Sequence, residues 1–440
     1  MNQPPLAEHT PPKHEPLAAL KEPGFVLYTS GRLLSTVGQQ LLWAVMAWQV
    51  YDISGSALNL GLLGLIRFVP ALVASLIGGA AADAFNRRII VLIAQIVPLS
   101  CGIILAIATA GGWIELGIIY ALVFALGLSS SFEGPARNAM LPSIVSPAVF
   151  PNAVALSATL QSLAMMTGPA IGGGVIAAGG IAVAYAVFVA LAIGAYISML
   201  LLKYEQTSRE GKRGVSLAAI RDGIHYVRTH QVVIGSMTLD MCAVIFGGAQ
   251  ALLPVYAEDI LHVGSLGYGV LYASLDAGAF LMSIIIVARP PIVRAGRALI
   301  CTVAVYGLFT VLFGVSREFV LSVVAYGLIG AADEISVIMR NMTIQLATPD
   351  ELRGRVGAVN SVFIGASNQM GAMESGFLAA LTSATTAVVF GGVVAMVVPV
   401  LVGWRMRELW DYRISDTSVG GGHGAPVPVK IEEEPASVAG

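Results

Sequence analysis

The chain has 440 residues, 56% of them hydrophobic and only 11% charged, with a formal net charge of −2. Soluble domains carry roughly a quarter charged residues, so this composition excludes a soluble globular protein, in agreement with a mean hydropathy of +0.81. The near-neutral balance offers no basis for a nucleic-acid or acidic-substrate partner.

Residues 1–24 are rich in proline and charge and lack a basic stretch ahead of a cleavable apolar one, so a disordered cytoplasmic tail is expected rather than a signal peptide. Apolar segments then follow near 25–50, 57–82, 89–110, 113–133, 152–178 and 180–203, and after a polar stretch near 232–257, 265–288, 298–315, 318–340, 355–380 and 384–404. Each is long enough to cross roughly 30 Å of hydrocarbon at about 1.5 Å per residue. Backbone polar groups in lipid must be satisfied within the chain, and the alternating segments of a barrel are absent, so these spans are read as helices. The expected fold is an all-α membrane protein with 12 transmembrane helices in two six-helix pseudo-symmetric bundles. The halves are residues 25–203 and 232–405, joined by a cytoplasmic linker over 204–231 and followed by a cytoplasmic tail over 406–440.

Lys and Arg set the orientation. With both termini inside, the cytoplasmic loops hold Arg87, Arg88, Arg137, the run from Lys203 to Arg228, Arg289, Arg294, Arg297, Arg353, Arg355, Arg405, Arg407 and Arg413, whereas Arg317 is the one basic residue in the external loops. In the linker, Leu217, Ile220, Ile224 and Val227 share one face, as in a helix lying on the membrane surface; an ordinary solvated linker is the alternative. Cys101, Cys242 and Cys301 sit in apolar runs without metal-ligand spacing. Neither a catalytic constellation nor a nucleotide-binding loop is present, so no enzyme activity, cofactor or metal is expected.

The halves repeat. Gly127, Arg137, Asn138, Gly168 and Gly173 recur 203 residues later as Gly330, Arg340, Asn341, Gly371 and Gly376, and with slightly shifted offsets Gly61 matches Gly269 and Arg87 matches Arg297. Duplicated six-helix halves suit a transporter whose halves rock about a central site.

The loop after the second span reads Gly79-Ala-Ala-Ala-Asp83-Ala-Phe-Asn-Arg87-Arg88. It resembles the G-x-L-x-D-R-x-G-R-R loop of the major facilitator superfamily. Gly79, Asp83, Arg87 and Arg88 match, while Ala81, Ala84 and Asn86 depart. The resemblance implies a cytoplasmic gate in which Asp83 faces the N-terminal end of the eleventh span, where an anion is favoured by the dipole and free N–H groups, with Arg353 and Arg355 as neighbours. The alternative is that Arg87 and Arg88 only anchor the loop to the cytoplasmic face.

In the fifth span, Gly168-Pro169-Ala-Ile-Gly172-Gly173 resembles the G-P-x-x-G-G element of the superfamily's antiporters, which drug exporters carry and importers generally lack. Its glycines permit close helix approach and its proline bends the helix; simple small-residue packing is the alternative. Ala372 stands where the repeat would place a second proline. Ser54–Ala57, Gly134–Arg137 and Pro349–Val356 look like the drug–proton antiporter branch that contains siderophore and macrolide exporters. The resemblance covers roughly residues 25–405.

Charges within spans cost roughly 2.5–3.5 kcal/mol each and call for a partner or a wet cavity. Arg67 and Asp276 occupy near-equivalent mid-span positions of the two halves, as do Arg32 and Asp240 nearer the cytoplasm. They either line a polar cavity or pair with each other. Polar stripes run along Arg32, Ser35, Gln39 and Trp43, along Asn360, Ser367 and Glu374, and along Ser157, Gln161 and Met165. Trp43 is either cavity lining or packing. Proton coupling needs a carboxylate that changes protonation; Asp276 is the first choice and Glu334 the second, with Glu374 and Asp333 also considered. Asp333, seven residues before Arg340, is expected to pair with it.

These features favour a monomeric, multi-pass inner-membrane transporter, with a small amphipathic molecule (a siderophore or drug) and protons as partners beside membrane lipid. Export by proton antiport is preferred over nutrient import or facilitation, and over a non-transporting membrane sensor.

Overall fold

The computed structural model describes residues 17–204, 217–290 and 292–414, without the side chains of residues 71–84 and 217–220. The rest of both tails and most of the polar linker lie outside the described residues.

The described chain is helical, with no strand among the described residues. In order come α1 (Pro23–Ser54), α2 (Ala57–Ala84), α3 (Arg87–Ala110), α4 (Leu116–Asn138), α5 (Phe150–Gly179) and α6 (Ile181–Leu201). After the linker helix α7 (Leu217–Thr229) come α8 (Gln231–Phe246) and its broken continuation through a 3₁₀ turn, the short α9 (Leu253–Val255) and a π turn at Tyr256–Ile260. Then follow α10 (Gly264–Val287), α11 (Ala295–Val315), α12 (Phe319–Ala347), α13 (Asp350–Leu381), α14 (Ala384–Arg405) and the short α15 (Arg407–Trp410).

Local chemistry sets the boundaries. Gly55, at φ 56°, ends α1 in the left-handed conformation, with its N–H bonded to Tyr51 O. Asn86, one of the departures from the superfamily loop, caps α3 by accepting from the N–H groups of Arg88 and Ile89. Ser383 caps α14 in the same way.

Among the described residues, nine helical stretches are long and apolar enough to cross a membrane. The twelve segments expected from sequence include three others. Helices α1 and α13, each of 32 residues, are long enough but carry the polar stripes that lower their hydropathy. Of α2, the stretch Ala57–Pro70 counts as a shorter apolar helix. The span expected at 232–257 is also not continuous, because Gly247 and Gly248 interrupt it and the backbone tightens to 3₁₀ before widening to π.

Helices α1–α6 pack mainly among themselves, as do α8 and α10–α14. The large contacts across this division are α5 with α10 and α2 with α13. Both are glycine crossings. A Cβ placed on Gly173 would lie 2.6 Å from the Cα of Gly269, and one on Gly61 would lie 3.2 Å from the Cα of Gly376. Such backbone approach requires residues without side chains.

The described termini meet one end of the molecule, where Ala19 N–H donates to Asn152 Oδ1 at 3.0 Å and Ile414 N–H donates to Val293 O at 2.9 Å. This is the terminal end. Its apolar clusters are separate: one joins Phe25, Val91, Ala136 and Met199, another Leu299, Met339 and Leu409, a third Val227, Met237 and Val356. At the far end one continuous cluster unites both groups of helices, including Leu41, Val45, Tyr185, Leu252, Tyr256, Tyr268 and Val388.

Candidate functional site

A cavity of about 190 Å³ lies between α1 and α2 on one side and α8 and α10–α13 on the other. Trp43 and Arg67 face it from the first group, and Tyr272, Tyr306, Tyr326 and Asp333 from the second, with Gln250, Asn368 and Gln369 adding amides. The Arg67 guanidinium lies 3.9 Å above the Trp43 ring, so Trp43 both lines the cavity and holds the arginine by a cation–π contact. Tyr306 donates to Gly247 O at 3.1 Å, a carbonyl freed where α8 breaks.

The paired charges lie beside this cavity rather than across it. Arg340 forms a buried ion pair with Asp240. This corrects the expected Asp333–Arg340 pair. Seven residues are two helical turns, about 10.5 Å along the axis, whereas Asp240 reaches Arg340 from the packed helix α8. In the first half the repeat-related Arg137 pairs with Glu133 on its own helix.

Arg32 and Asp240 therefore do not pair. Arg32 Nε donates to Gln161 Oε1 at 3.2 Å and its Nη1 to Tyr28 Oη at 3.4 Å, and Thr36 donates to the same Gln161 oxygen at 3.2 Å. Arg67 and Asp276 also form no salt bridge among the described residues, although Tyr272, one turn before Asp276, lies within electrostatic range of both. Asp333 lies within electrostatic range of Asp276 and Glu334. Glu334 is half-buried, and Glu374 accepts from Ser375 Oγ at 3.3 Å.

The stripes divide. Gln39 is half-buried and does not line the cavity. Ser367 is buried and donates to Phe363 O at 2.7 Å, which commits its hydroxyl to its own helix. Asn360 lines a second recess at the terminal end with Asn341, Gln345 and Arg353.

Of the gate residues, Gly79 lies in α2, and the Asp83 side chain lies outside the described residues. Arg87 donates to Ala139 O at 3.0 Å, and Arg88 to Leu200 O at 2.7 Å and Met199 O at 3.3 Å. The two arginines thus bind the C-terminal carbonyls of α4 and α6. Arg353 pairs with Asp350 at 2.7 Å and bonds Gln345 O. Arg355 reaches Asp222 of α7 at 3.0 Å. Tyr226, whose phenol is pushed up by burial, donates to Ala347 O at 2.6 Å. Val227 is buried against α8 and α13, whereas Ile224 is exposed. The linker helix is docked on the second half.

In the antiporter-like element, Gly168 packs on Gln40 and Val37 of α1, Gly172 on Leu41 and Val45, and Gly173 on Gly269. Its glycines therefore seat α5 on two helices at once.

Far-end closure was not foreseen from the sequence. Tyr51 hydrogen-bonds Asp259 across 208 positions of sequence. Tyr268 donates to Ala44 O at 3.0 Å and packs its ring 5.3 Å from that of Trp48. The cavity tyrosines were also unforeseen. The spacing of Tyr272 one turn from Asp276, and the Gly247–Gly248 interruption, are the signals that point to them.

The chain is similar to known proteins over most of its length. Residues 14–418 match the family model described as transmembrane secretion effector. The chain is 23% identical over 418 residues to the uncharacterized MFS-type transporter YfiS of Bacillus subtilis, covering 90% of this chain and 97% of that one. It is 24% identical over 411 residues to the enterobactin exporter EntS of Escherichia coli O1:K1, covering 90% and 95%. The fold is similar to that of the nucleoside transporter NupG, with a TM-score of 0.67 at 12% identity, covering 86% of this chain and 99% of that one. This chain belongs to the transmembrane secretion effector family of the major facilitator superfamily, and is a multi-pass membrane transporter rather than an enzyme.

Proposed function

We propose that this protein exports a small amphipathic molecule across the inner membrane by alternating access, driven by proton antiport. Twelve spans in two six-helix halves (residues 25–203 and 232–405) rock about the glycine crossings, with both termini and the docked linker in the cytoplasm. The observation that carries this reading is the difference between the two ends. One apolar cluster joins both halves at the far end, whereas each cluster at the terminal end belongs to one side of the division. With the termini inside, this is the inward-facing state of an alternating-access cycle, in which an exporter takes up its substrate from the cytoplasm. The two crossings join repeat-related positions, because Gly173 and Gly376 are counterparts, as are Gly61 and Gly269. Equivalent pivots of this kind suit rigid-body rocking.

Export is favoured over import by Gly168–Gly173 and by the likeness to EntS. Asp276 and Asp333 are the proposed proton carriers, each without a cationic partner among the described residues. Moving one charge through 100 mV supplies about 2.3 kcal/mol. The protein works as a monomer, with no nucleic-acid partner.

Inverted vesicles carrying the protein should accumulate a substrate such as a fluorescent amphiphile when acidified inside, and an uncoupler should abolish the accumulation. Accumulation that ignores the proton gradient would overturn antiport, and uptake restricted to right-side-out vesicles would overturn export.

A further inference from the structure

Among the described residues, the unpaired charges inside the spans are sorted by half. On the first half, Arg32 and Arg67 have no carboxylate partner among the described residues, since Arg32 bonds only neutral oxygens and Arg67 rests on Trp43. On the second half, Asp276, Asp333, Glu334 and Glu374 have no cationic partner among the described residues, while the buried Asp240 is already paired with Arg340. Arg67 and Asp333 line the same cavity from opposite walls.

The contact with Trp43 occupies one face of the Arg67 guanidinium and leaves its N–H edge free. That edge is a planar fork matched to an anionic oxygen pair. Asp333 on the facing wall offers two acceptor oxygens. Tyr272 and Tyr326 line the same cavity. Unpaired charges in a low-dielectric site are costly, and a ligand that supplies both opposite charges removes both costs together.

A purely anionic ligand would satisfy Arg67 but face the acids of the second wall. Its negative charge would also favour their protonation, so ligand and proton would bind together. By linkage that pattern drives both the same way across the membrane. A ligand ammonium on Asp333 competes with the proton instead, as antiport requires.

We propose that the cavity recognises a zwitterionic aromatic amphiphile, with its anionic group on the Arg67 edge, its ammonium on Asp333 and its ring among Tyr272 and Tyr326. The inference rests on the cavity being the transport site and names the substrate class for it.

Three matched probes test it against purified full-length protein in nanodiscs without any gradient, read by isothermal titration: 4-phenylphenylalanine, its methyl ester and its N-acetyl derivative. The zwitterion should bind at least about ten-fold tighter than either singly charged form, the worth of one further charge-assisted hydrogen bond. Arg67→Gln should remove the advantage over the ester, with a single cooperative thermal transition of the variant reporting an intact fold. Asp333→Asn should remove the advantage over the N-acetyl form. Equal or tighter binding of a singly charged probe, or no saturable binding of any of the three, overturns the proposal. Because no gradient is involved, failure of vesicle export would leave a positive binding result standing, and the two readings fail separately.

Discussion

Gly173 on α5 and Gly269 on α10 meet backbone to backbone, so that a Cβ on Gly173 would sit 2.6 Å from the Cα of Gly269. Their repeat counterparts, Gly376 on α13 and Gly61 on α2, meet in the same way. No side chain can yield at these points, because the nearest atoms are main-chain atoms. Gly173→Leu and Gly376→Leu should each destabilise the protein by about 1–3 kcal/mol, the cost of overpacking, and should abolish transport. Gly174→Ala is the control one residue away, because a Cβ there meets nothing within 4 Å. Thermal denaturation of the purified variants with a parallel vesicle assay checks this. Wild-type stability in both leucine variants would mean the crossings are not pivots.

The buried Asp240–Arg340 pair predicts an asymmetric mutational response. Asp240→Asn leaves a buried arginine unpaired and should cost about 3–5 kcal/mol, whereas Asp240→Leu combined with Arg340→Met should recover much of that loss. Chemical denaturation in detergent measures both. A single variant no worse than the double one would contradict the pair's burial.

Tyr51 and Asp259 hold the far ends of the two halves together. Because Asp259 is exposed, the contact is modest. Tyr51→Phe should weaken far-end closure by about 1 kcal/mol, a factor of about five in the open-to-closed ratio. Spin labels at exposed far-end positions such as Asp52 and Glu258 would report it as a larger long-distance fraction. An unchanged distance distribution would remove Tyr51 from the closure.

The linker helix should depend on a phenol more than on its ion pair. Asp222 and Arg355 are 48% and 43% exposed, so Asp222→Asn should change stability by less than about 0.5 kcal/mol and less still at high salt. Tyr226→Phe removes a hydrogen bond to Ala347 O and should cost about 1 kcal/mol. Because burial raises the phenol above its ordinary 10.0, its contribution is complete below that pH and falls only as pH rises through the higher folded value. Hydrogen exchange of α7 should therefore be steady across neutral pH after correction for intrinsic rates.

Elements that depend on local pattern were legible in the sequence. Apolar length located the helices, and the constant offset linking Gly173 to Gly376 identified the residues that later proved to form the crossings with Gly269 and Gly61. Partnerships between distant helices were not legible. Arg340 had Asp333 on its own helix as the visible choice, but packing brought Asp240 from 100 positions away. Trp43 and Arg67 were each singled out, yet nothing in their spacing placed one over the other, because α1 and α2 meet through a loop whose angle is set by tertiary contacts.

The continuous apolar cluster at the far end also has a thermal consequence. Opening that end wets residues such as Leu41, Leu252 and Tyr268, and exposure of apolar surface raises heat capacity. The terminal end must meanwhile bury surface that its three separate clusters now leave divided. If the two areas match, the conformational equilibrium follows a straight van't Hoff line; if the far-end seal is the larger, the line curves. The curvature of that plot therefore weighs one gate against the other without reference to any substrate.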